Sequence, residues 1–306
     1  MDWDRQMKEL VVISGKGGTG KTSILASFAA LSKRSVLADC DVDAADLFLL
    51  LTPDATEAET FKSGRQAVIV DEKCTGCGRC RQLCRFDAIN EPDTPGGRVY
   101  TVDPAACEGC GVCVWACPAG AIEFPERICG ELFVSTTRFG TMVHARLDIG
   151  AENSGKLVTL VRKTAARQAA LLQADMVLID GPPGIGCPAI ASMTGASCVL
   201  VITEPTLSGQ HDLARVLDLT THFGVETYVC VNKYDINEEM TRRIEDMAVA
   251  RGAEVFGRVR YDKAVTEAQL QGRAVVESSN SPAAQDIVHL WERVGRELGD
   301  APGVKS

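Results

Sequence analysis

Residues 14–23 read Ser-Gly-Lys-Gly-Gly-Thr-Gly-Lys-Thr-Ser, a glycine-rich stretch with two lysines and several hydroxyl groups. Glycines let backbone N–H groups close around phosphate oxygens, and a helix N-terminus beside them adds a favourable dipole. In the pattern G-x-x-x-x-G-K-[ST], the lysine reaches the β- and γ-phosphates and the hydroxyl binds Mg²⁺. The stretch therefore predicts a loop for a Mg-nucleotide, and a chance glycine turn is the alternative.

The neighbouring segments favour the nucleotide loop. The apolar run 10–13 precedes it and the helical segment 24–30 follows it, and strand, glycine turn and helix is the order in which this motif binds phosphate. Lys21 is the lysine of the motif, and Thr22 supplies the hydroxyl for Mg²⁺. The residues expected to contact the nucleotide are Gly15, Lys16, Gly17, Gly18, Thr19, Gly20, Lys21, Thr22 and Ser23.

Acidic residues follow a second apolar segment, residues 35–38. Asp39 and Asp41 come at its end, and the carboxyl ends of parallel strands are where ligands bind in open α/β sheets. The segment therefore predicts carboxylates beside the nucleotide loop. The alternative is that Asp43 and Asp46 cap a short helix over residues 44–51, with Asp41 helping them.

A third apolar segment, residues 176–179, ends in Asp180 and a Gly-Pro-Pro-Gly turn over residues 181–184. This arrangement fits a Walker B strand, whose aspartate holds Mg²⁺ through water. The turn after it is suited to act as a switch that senses the γ-phosphate.

Eight of the 13 cysteines fall into two runs with the same spacing. The pattern Cys-x-x-Cys-x-x-Cys-x-x-x-Cys occurs at residues 74–84 and again at 107–117, an offset of 33 residues that continues from Ile89 to Ile122. In a reducing compartment, clustered cysteines are typical of metal ligands rather than disulfides. The spacing resembles that of bacterial two-cluster ferredoxins, in which the fourth cysteine of each run ligates the other cluster.

This resemblance implies two [4Fe–4S] clusters, close enough for electrons to pass between them. Zinc is the alternative metal, but zinc sites usually pair two Cys-x-x-Cys units. One departure is Arg85, which stands where the first run would normally carry proline, as Pro118 does in the second. The implied ligand sets are Cys74, Cys77, Cys80 and Cys117 for one cluster, and Cys107, Cys110, Cys113 and Cys84 for the other.

The charge and hydropathy of the sequence argue against nucleic-acid and membrane partners. The net charge of −9 argues against a nucleic-acid surface, and no apolar run approaches the ~20 residues of a membrane span. The N-terminus, residues 1–4, lacks the features of a signal peptide, so we expect a cytoplasmic protein. The tail around residues 292–300 is mixed in charge, which is unlike a membrane-targeting helix.

The order of segments predicts an α/β fold with a doubly wound, mostly parallel sheet. We expect a nucleotide-binding domain formed by residues 1–64 and 127–306, interrupted by a small α+β bacterial-type ferredoxin domain at 65–126. Polar residues 52–64 mark the boundary. The remaining predicted elements are a hairpin over 131–148, helices over 155–173, 209–223, 237–250 and 281–298, and strands over 198–205, 228–233 and 254–260.

The form Lys-Gly-Gly-x-Gly-Lys-[ST], with Lys16 directly after the first glycine, resembles the deviant Walker A motif of the MinD/ParA and nitrogenase iron protein superfamily of P-loop ATPases. The resemblance implies an ATP-dependent homodimer in which Lys16 reaches the nucleotide of the partner subunit. It also implies that Asp41 positions the attacking water and that Asp39 supports Mg²⁺. Lys16, Lys21 and Asp41 are then the catalytic residues.

Two more residues resemble functional residues of that superfamily in type and position. Asn232, at the end of a strand, resembles the asparagine that recognises adenine, and the alternative is a role in the turn before Asn237, a suitable N-cap. Cys187, seven residues after Asp180, resembles a cysteine that binds a bridging cluster, with Cys129 as the nearest unassigned partner. The alternative is a small buried residue, which is what we expect of Cys40, Cys198 and Cys230.

Two functional hypotheses of different class follow. In the first, ATP-driven closure of the homodimer gates electron transfer through the clusters, between a protein donor and a protein acceptor. In the second, the ATPase assembles or inserts an iron–sulfur or other metal cofactor into a client. The complete ferredoxin spacing favours the first and Cys187 favours the second. A spatial positioning ATPase is a third hypothesis, disfavoured by the acidic charge and the tail.

Overall fold

The computed structural model describes residues 7–91, 99–148 and 155–298. Contacts between residues divide the chain into two units. The first unit comprises Met1–Glu59, Glu131–Leu147 and Asn153–Ser306, and the second comprises Thr60–Gly130 and Asp148–Glu152.

A nine-stranded sheet has the strand order β13-β12-β11-β1-β10-β2-β9-β8-β3, with elements numbered along the chain. Neighbouring strands from β13 to β9 pair in parallel. This confirms the predicted α/β class with a mostly parallel sheet. The strands are β1 Lys8–Ile13, β2 Ser35–Asp39, β3 Asp54–Arg65, β8 Glu126–Thr137, β9 Gly140–Leu147, β10 Met176–Asp180, β11 Cys198–Thr203, β12 Thr227–Asn232 and β13 Glu254–Val259.

The helices of the first unit include several long, capped segments. Asn237 and Ser281 cap two of them, since their side chains accept hydrogen bonds from Met240 N and Ala284 N. The helices are α1 Lys21–Leu31, α2 Leu47–Leu51, α5 Gly155–Leu172, α6 Cys187–Met193, α7 Leu207–His222, α8 Glu238–Ala250, α9 Lys263–Leu270, α10 Val275–Ser278 and α11 Pro282–Glu297.

The core strands are apolar on both faces, as expected for parallel strands that are covered on both sides. Residues Leu10 to Ile13 of β1 are fully buried, and so is Leu178 of β10. On one side, Phe28 of α1 lies against Trp291 of α11, with ring centroids 5.0 Å apart.

The register brings the acidic strand ends together. In the parallel pair β10–β2, Asp180 is opposite Asp39, and in β1–β10, Val12 is opposite Asp180. The glycine-rich loop follows β1 directly, so it lies at the same edge of the sheet as both aspartates. This placement follows from strand order alone, because parallel strands present their carboxyl ends at one edge.

The second unit contains two short helices and two small antiparallel sheets. Val68 pairs with Glu123 in one sheet, and Ile89 pairs with Val102 in the other. Its core includes Ala67, Cys80, Ile89 and Ile122. The elements are β4 Val68–Ile69, α3 Arg79–Leu83, β5 Ile89–Asn90, β6 Thr101–Val102, α4 Val112–Ala116 and β7 Ile122–Glu123.

The structure adds to two sequence-based expectations. Residues 52–64 were expected to be a polar boundary, and the division between the two units falls among them, after Glu59. Residues 54–65 also form β3 at the edge of the large sheet, which the sequence analysis did not predict. Its residues are mostly exposed, so the strand carries no apolar alternation. The hairpin is also longer than expected, because its first strand, β8, begins at Glu126.

Among the described residues, no helix is both long and apolar enough to cross a membrane. The expectations that concerned residues 1–4 and Asp300 lie outside the described residues.

We expect Leu178→Ala to lower the free energy of unfolding by about 2–5 kcal/mol, because a fully buried leucine of the central sheet would leave a cavity. Urea unfolding followed by circular dichroism measures this loss. The matched control is Leu171→Ala on α5, where the side chain is 71% exposed and the change should stay within about 0.5 kcal/mol. Equal effects of the two substitutions would contradict the placement of β10 in the core.

Candidate functional site

The glycine-rich loop has a backbone conformation that depends on two of its glycines. Gly18 and Gly20 have φ angles of 79° and 90°, in the left-handed region that favours glycine. At Gly20, a Cβ atom would also lie 2.4 Å from Asn232 Nδ2, so a side chain cannot fit. Gly20 is the N-cap residue of α1, which therefore begins directly at Lys21.

Lys21 is buried at the centre of a cluster of carboxylates. Its Nζ lies 2.8 Å from Asp41 Oδ2 and 3.3 Å from Asp180 Oδ1. Thr22 Oγ1 donates a hydrogen bond to Asp180 Oδ2 at 2.8 Å. Burial alone would lower the pKa of Lys21, but the charges of Asp180 and Asp41 raise it to about 12. The structure thus brings together four of the residues predicted to bind Mg-nucleotide.

Asp39 completes the cluster, and it is 1% exposed. Its Oδ1 accepts a hydrogen bond from Asp41 N at 3.1 Å, whereas its buried Oδ2 has no hydrogen-bond partner in the described part of the chain. Burial and the charge of Asp180 raise the pKa of Asp39 well above its usual range. Burial also raises the pKa values of Asp41 and Asp180, against the opposing charge of Lys21.

Three carboxylates around one lysine leave an excess of negative charge, and the unpartnered Asp39 Oδ2 is the kind of atom that a cation would satisfy. Among the described residues, no three His, Cys, Asp or Glu side chains are spaced to enclose one metal ion. Mg²⁺ does not require such a cage, because it binds through one or two carboxylates together with waters and substrate phosphates. Asp39, Asp180 and Thr22 therefore fit a Mg²⁺ ion that arrives with a nucleotide.

Lys16 points away from this cluster. Its Nζ lies 2.6 Å from Glu204 Oε1 and donates a hydrogen bond to Ser208 Oγ at 3.0 Å. Lys233 Nζ approaches the same carboxylate, 3.3 Å from Glu204 Oε2. Glu204 and Ser208 were not among the predicted site residues. Glu204 directly follows β11, so the position of an acidic residue at the end of a parallel strand, which selected Asp39, could have selected it too.

Asn232 is buried beside the loop. Its Nδ2 donates to Thr19 O at 2.7 Å, and its Oδ1 accepts from Lys233 N at 3.0 Å. It therefore holds the loop and the turn after β12 at once. Next to it lies an open cleft with a volume of about 190 Å³, smaller than the ~300–1,000 Å³ typical of small-molecule sites. Polar residues on the cleft wall include Ser23, Asn232, Lys233, Arg260, Tyr261, Asp262 and Gln269.

The eight clustered cysteines line two separate cavities of the second unit. Each cavity takes three cysteines from one run and the fourth from the other run. The first cavity is lined by Cys74, Cys77, Cys80 and Cys117, and the second cavity by Cys107, Cys110, Cys113 and Cys84. These groupings are the two ligand sets that the ferredoxin resemblance implies.

The two cavities are built alike from the two halves of the repeat. Gly78 and Gly111 precede α3 and α4 with φ angles of 69° and 75°. Burial raises the pKa values of Cys80 and Cys113, the cysteines at equivalent positions, although nearby backbone N–H groups favour their thiolates. Ala121 N donates to Cys117 Sγ at 3.3 Å. Sulfur atoms that face an apolar cavity and accept N–H bonds fit iron–sulfur ligation.

The other cysteines divide into buried and exposed ones. Cys40, Cys198 and Cys230 are buried, as expected. Cys129 is also buried, and its thiol donates to Ser63 O at 3.1 Å. Cys187 is exposed at the start of α6, so the alternative of a small buried residue was wrong for this position.

Comparisons with known proteins agree on the nucleotide-binding unit. A family model described as the CobQ/CobB/MinD/ParA nucleotide binding domain matches residues 10–275. An uncharacterized protein of Methanocaldococcus jannaschii is 31% identical over 298 residues, which cover 96% of this chain and 99% of the relative.

Two solved structures share the fold. The cell division ATPase MinD of Pyrococcus furiosus is similar with a TM-score of 0.59 and 19% identity, over 95% of this chain and 100% of that one. The septum site-determining protein MinD of Pyrococcus horikoshii OT3, complexed with Mg-ADP, is similar with a TM-score of 0.60 and 18% identity, over 96% and 98%. At these identities the similarity describes the fold.

We expect Asp39→Asn to raise the melting temperature of the nucleotide-free protein by about 2–5 °C near neutral pH, or roughly 1–2 kcal/mol. The pKa of Asp39 is higher in the folded state than in the unfolded state, so its ionised form destabilises the fold. Wild-type stability falls as pH rises from the ordinary value of 3.8 through the folded pKa, and the gain from asparagine should therefore shrink on acidification. Differential scanning calorimetry across this pH range measures the effect.

Asp246→Asn, on the exposed face of α8, is the matched control and should leave the melting temperature unchanged. A lower melting temperature for Asp39→Asn at neutral pH, or a gain that does not vary with pH, would contradict this account of the cluster.

Proposed function

This chain belongs to the CobQ/CobB/MinD/ParA nucleotide-binding family, and on that premise we propose that it is a Mg-dependent ATPase that couples ATP-driven homodimer closure to electron transfer. Electrons would pass through two [4Fe–4S] clusters between a protein donor and a protein acceptor. The observation that carries the proposal is the grouping of eight cysteines into two four-cysteine cavities on a chain that also has the lysine–carboxylate site. In this proposal the second unit is the ferredoxin domain expected at 65–126, within a nucleotide-binding domain of 1–64 and 127–306.

The ATPase part of the proposal follows from the contacts of Lys21. When the β- and γ-phosphates enter the loop, Lys21 exchanges Asp41 and Asp180 for phosphate oxygens. Thr22, Asp39 and Asp180 would then hold Mg²⁺, and Asp41 would be free to orient a water molecule. The oxygen of that water would bond to the γ-phosphorus as the bond from the γ-phosphorus to the bridging oxygen breaks, and the products would be ADP, inorganic phosphate and a proton released to solvent.

Two features would connect the nucleotide to closure. Lys16, in the same loop as Lys21, is proposed to reach the nucleotide of the second subunit. Residues 181–184 follow Asp180 and would move with the γ-phosphate. Gly184 N already donates to Ser14 O of the loop at 2.8 Å, so the two segments are in contact before nucleotide binds. The cleft beside Asn232 is proposed to hold the adenosine part of ATP.

The cysteines are proposed to hold the clusters in the exchanged sets that line the two cavities. A bound cluster supplies reversible one-electron transfer, with a potential set by charge, solvent exposure and N–H bonds to sulfur. The protein contributes the Ala121 N–H bond to Cys117 and a largely apolar lining.

Cofactor assembly is the second candidate function, and exposed Cys187 is the observation that favours it. This cysteine lies at the start of α6, just after the proposed switch, where a labile metal or cluster would respond to nucleotide. We rank it second because the eight clustered cysteines form two complete four-cysteine sets, which are suited to stable carriers. A spatial positioning ATPase ranks third, since only the shared fold supports it.

We expect anaerobically purified protein to contain about eight irons per chain, from two four-iron clusters. Paired cysteine substitutions test the exchanged ligation. Cys74→Ala with Cys117→Ala removes two ligands of one set and should leave about four irons. Cys74→Ala with Cys84→Ala removes one ligand from each set and should lower the iron content of both clusters. Iron analysis with electron paramagnetic resonance measures the result.

Cys187→Ala is the control for removal of an exposed cysteine and should retain about eight irons. If the Cys74/Cys84 pair retained a complete cluster while the Cys74/Cys117 pair lost both, each run would ligate its own cluster. Stoichiometric zinc in place of iron would contradict the cluster proposal.

The coupling is tested by titrating the reduction potentials with and without Mg-ATP. We expect Mg-ATP to shift at least one potential, because closure changes the charge and solvent exposure around the clusters. Lys21→Ala should abolish the shift by removing nucleotide binding. Lys16→Gln should bind nucleotide and still show no shift, because it lacks closure.

Lys163→Gln, an exposed lysine on α5, is the matched control and should respond to Mg-ATP like the wild type. Potentials that do not change with Mg-ATP, in protein that hydrolyses ATP, would replace the electron-transfer proposal with cofactor assembly.

A further inference from the structure

The turn after β11 places one carboxylate between two lysines of the nucleotide site. Glu204 Oε1 lies 2.6 Å from Lys16 Nζ, and Glu204 Oε2 lies 3.3 Å from Lys233 Nζ. Lys233 Nζ also donates to Gly18 O at 3.3 Å, so this carboxylate links both lysines to the loop. Glu204 therefore offsets the like charges of the Lys16 and Lys233 ammonium groups.

Close packing fixes the position of Glu204. A Cβ atom at Gly209 would lie 2.3 Å from Glu204 O, so only glycine lets α7 begin this near the turn. Thr203 Oγ1 donates to Gly209 O at 3.1 Å, and Thr206 Oγ1 accepts from Gly209 N at 2.9 Å. The turn is therefore rigid, and the Glu204 carboxylate is held in place before any ligand binds.

The same helix also fixes the loop that carries Lys16. A Cβ atom at Gly15 would lie 2.4 Å from Asp212 Cβ, on the first turns of α7. Ser208, on the first turn, accepts a hydrogen bond from Lys16 Nζ at 3.0 Å. The loop that carries Lys16 and both acceptors of Lys16 therefore pack at the start of α7. This shared packing makes the contact part of the site rather than a chance surface pair.

Glu204 stays ionised, which preserves its ion pair with Lys16. Burial would raise the pKa of Glu204, but the hydrogen bond from Lys16 and the charge of Lys233 outweigh it and lower the pKa. The carboxylate is therefore ionised throughout the neutral range. Lys16, with 30% of its side chain exposed, is held on its own subunit when no nucleotide is bound.

We propose that Glu204 is a positioning residue that holds Lys16 on its own subunit until a nucleotide and a second copy of the chain compete for it. The proposal rests on the proposed function, in which Lys16 acts in the site of the partner subunit. An ammonium group that donates to Glu204 and Ser208 cannot also reach across to a second subunit. The contact must therefore break on closure, and its strength sets how much nucleotide the closure requires.

The contact is tested first in the nucleotide-free protein. Lys16 is labelled with an amine-reactive acetylating reagent, and the modified peptide is quantified by mass spectrometry. Glu204→Gln keeps the shape of the side chain and removes its charge, so Lys16 should be labelled several-fold faster. Glu254→Gln, which removes the charge from a surface pair with Arg293, is the matched control and should not change the labelling. Equal labelling of Lys16 in wild type and Glu204→Gln would overturn the proposal.

The consequence is tested by sedimentation with increasing Mg-AMPPNP, an analogue that is not hydrolysed. Glu204→Gln should lower the concentration for half-maximal dimer formation by about three- to tenfold, as expected for loss of one partly buried ion pair. Lys16→Gln lacks closure, so adding Glu204→Gln to it should not restore dimer formation. A structural role for Glu204 would instead weaken dimer formation in the single Glu204→Gln variant, and that result would overturn the proposal.

Labelling of Lys16 and dimer formation together distinguish a failure of the proposed function from a failure of the inference about Glu204. If wild type failed to dimerise with Mg-AMPPNP while Lys16 labelling still depended on Glu204, the proposed function would fail and the Lys16–Glu204 contact would remain. If wild type dimerised and Glu204→Gln altered neither labelling nor half-maximal concentration, the inference about Glu204 would fail alone.

Discussion

The site depends on the imbalance of charge around Lys21. Asp39 and Asp180 are opposite each other in the register of two parallel strands, so the sheet itself forces their carboxylates together. Asp41 adds a third, and Lys21 contacts both Asp41 and Asp180. Burial makes each ionised carboxylate costly, as their raised pKa values indicate. The fold therefore maintains an excess of buried carboxylates, and in the proposed function a polyphosphate with Mg²⁺ would supply both a balancing cation and new acceptors for Lys21.

Close packing at glycine positions links the elements that would have to move together. Gly20 against Asn232 joins the loop to β12, and Gly15 against Asp212 joins it to α7. A Cβ atom at Gly181 would lie 2.4 Å from Ile13 Cγ2, so the start of the proposed switch rests on β1. Because packed interiors transmit displacement rather than absorb it, a change at the phosphate position reaches β1, β12 and α7 together.

The sequence predicted the features that short motifs encode, because the spacing of residues within a motif determines their local structure. The loop, the acidic strand ends and the two cysteine runs are short motifs, and strand order brings their parts together. The pairing of Lys16 with Glu204 spans 188 residues between the β1 loop and the β11 turn, and no local pattern encodes it. Strand β3 was missed for a different reason, since its exposed and polar residues show none of the alternation of a half-buried strand. Tertiary pairing at a sheet edge, rather than propensity, makes it a strand.

The internal repeat explains why four-cysteine sets with exchanged members line both cavities. Positions 33 residues apart occupy equivalent places, since Ala121 and Ile122 line the first cavity where Ala88 and Ile89 line the second. Several equivalent positions carry different residues, and two of these differences change the polarity of the lining. Tyr100 lines the first cavity where Ala67 lines the second, and Thr75 of the first is replaced by Glu108 in the second. A phenol on one side and a carboxylate on the other give the cavities different polarity and charge. Because both properties set cluster potentials, the proposed carriers would differ in potential, and the electron would favour one of the two.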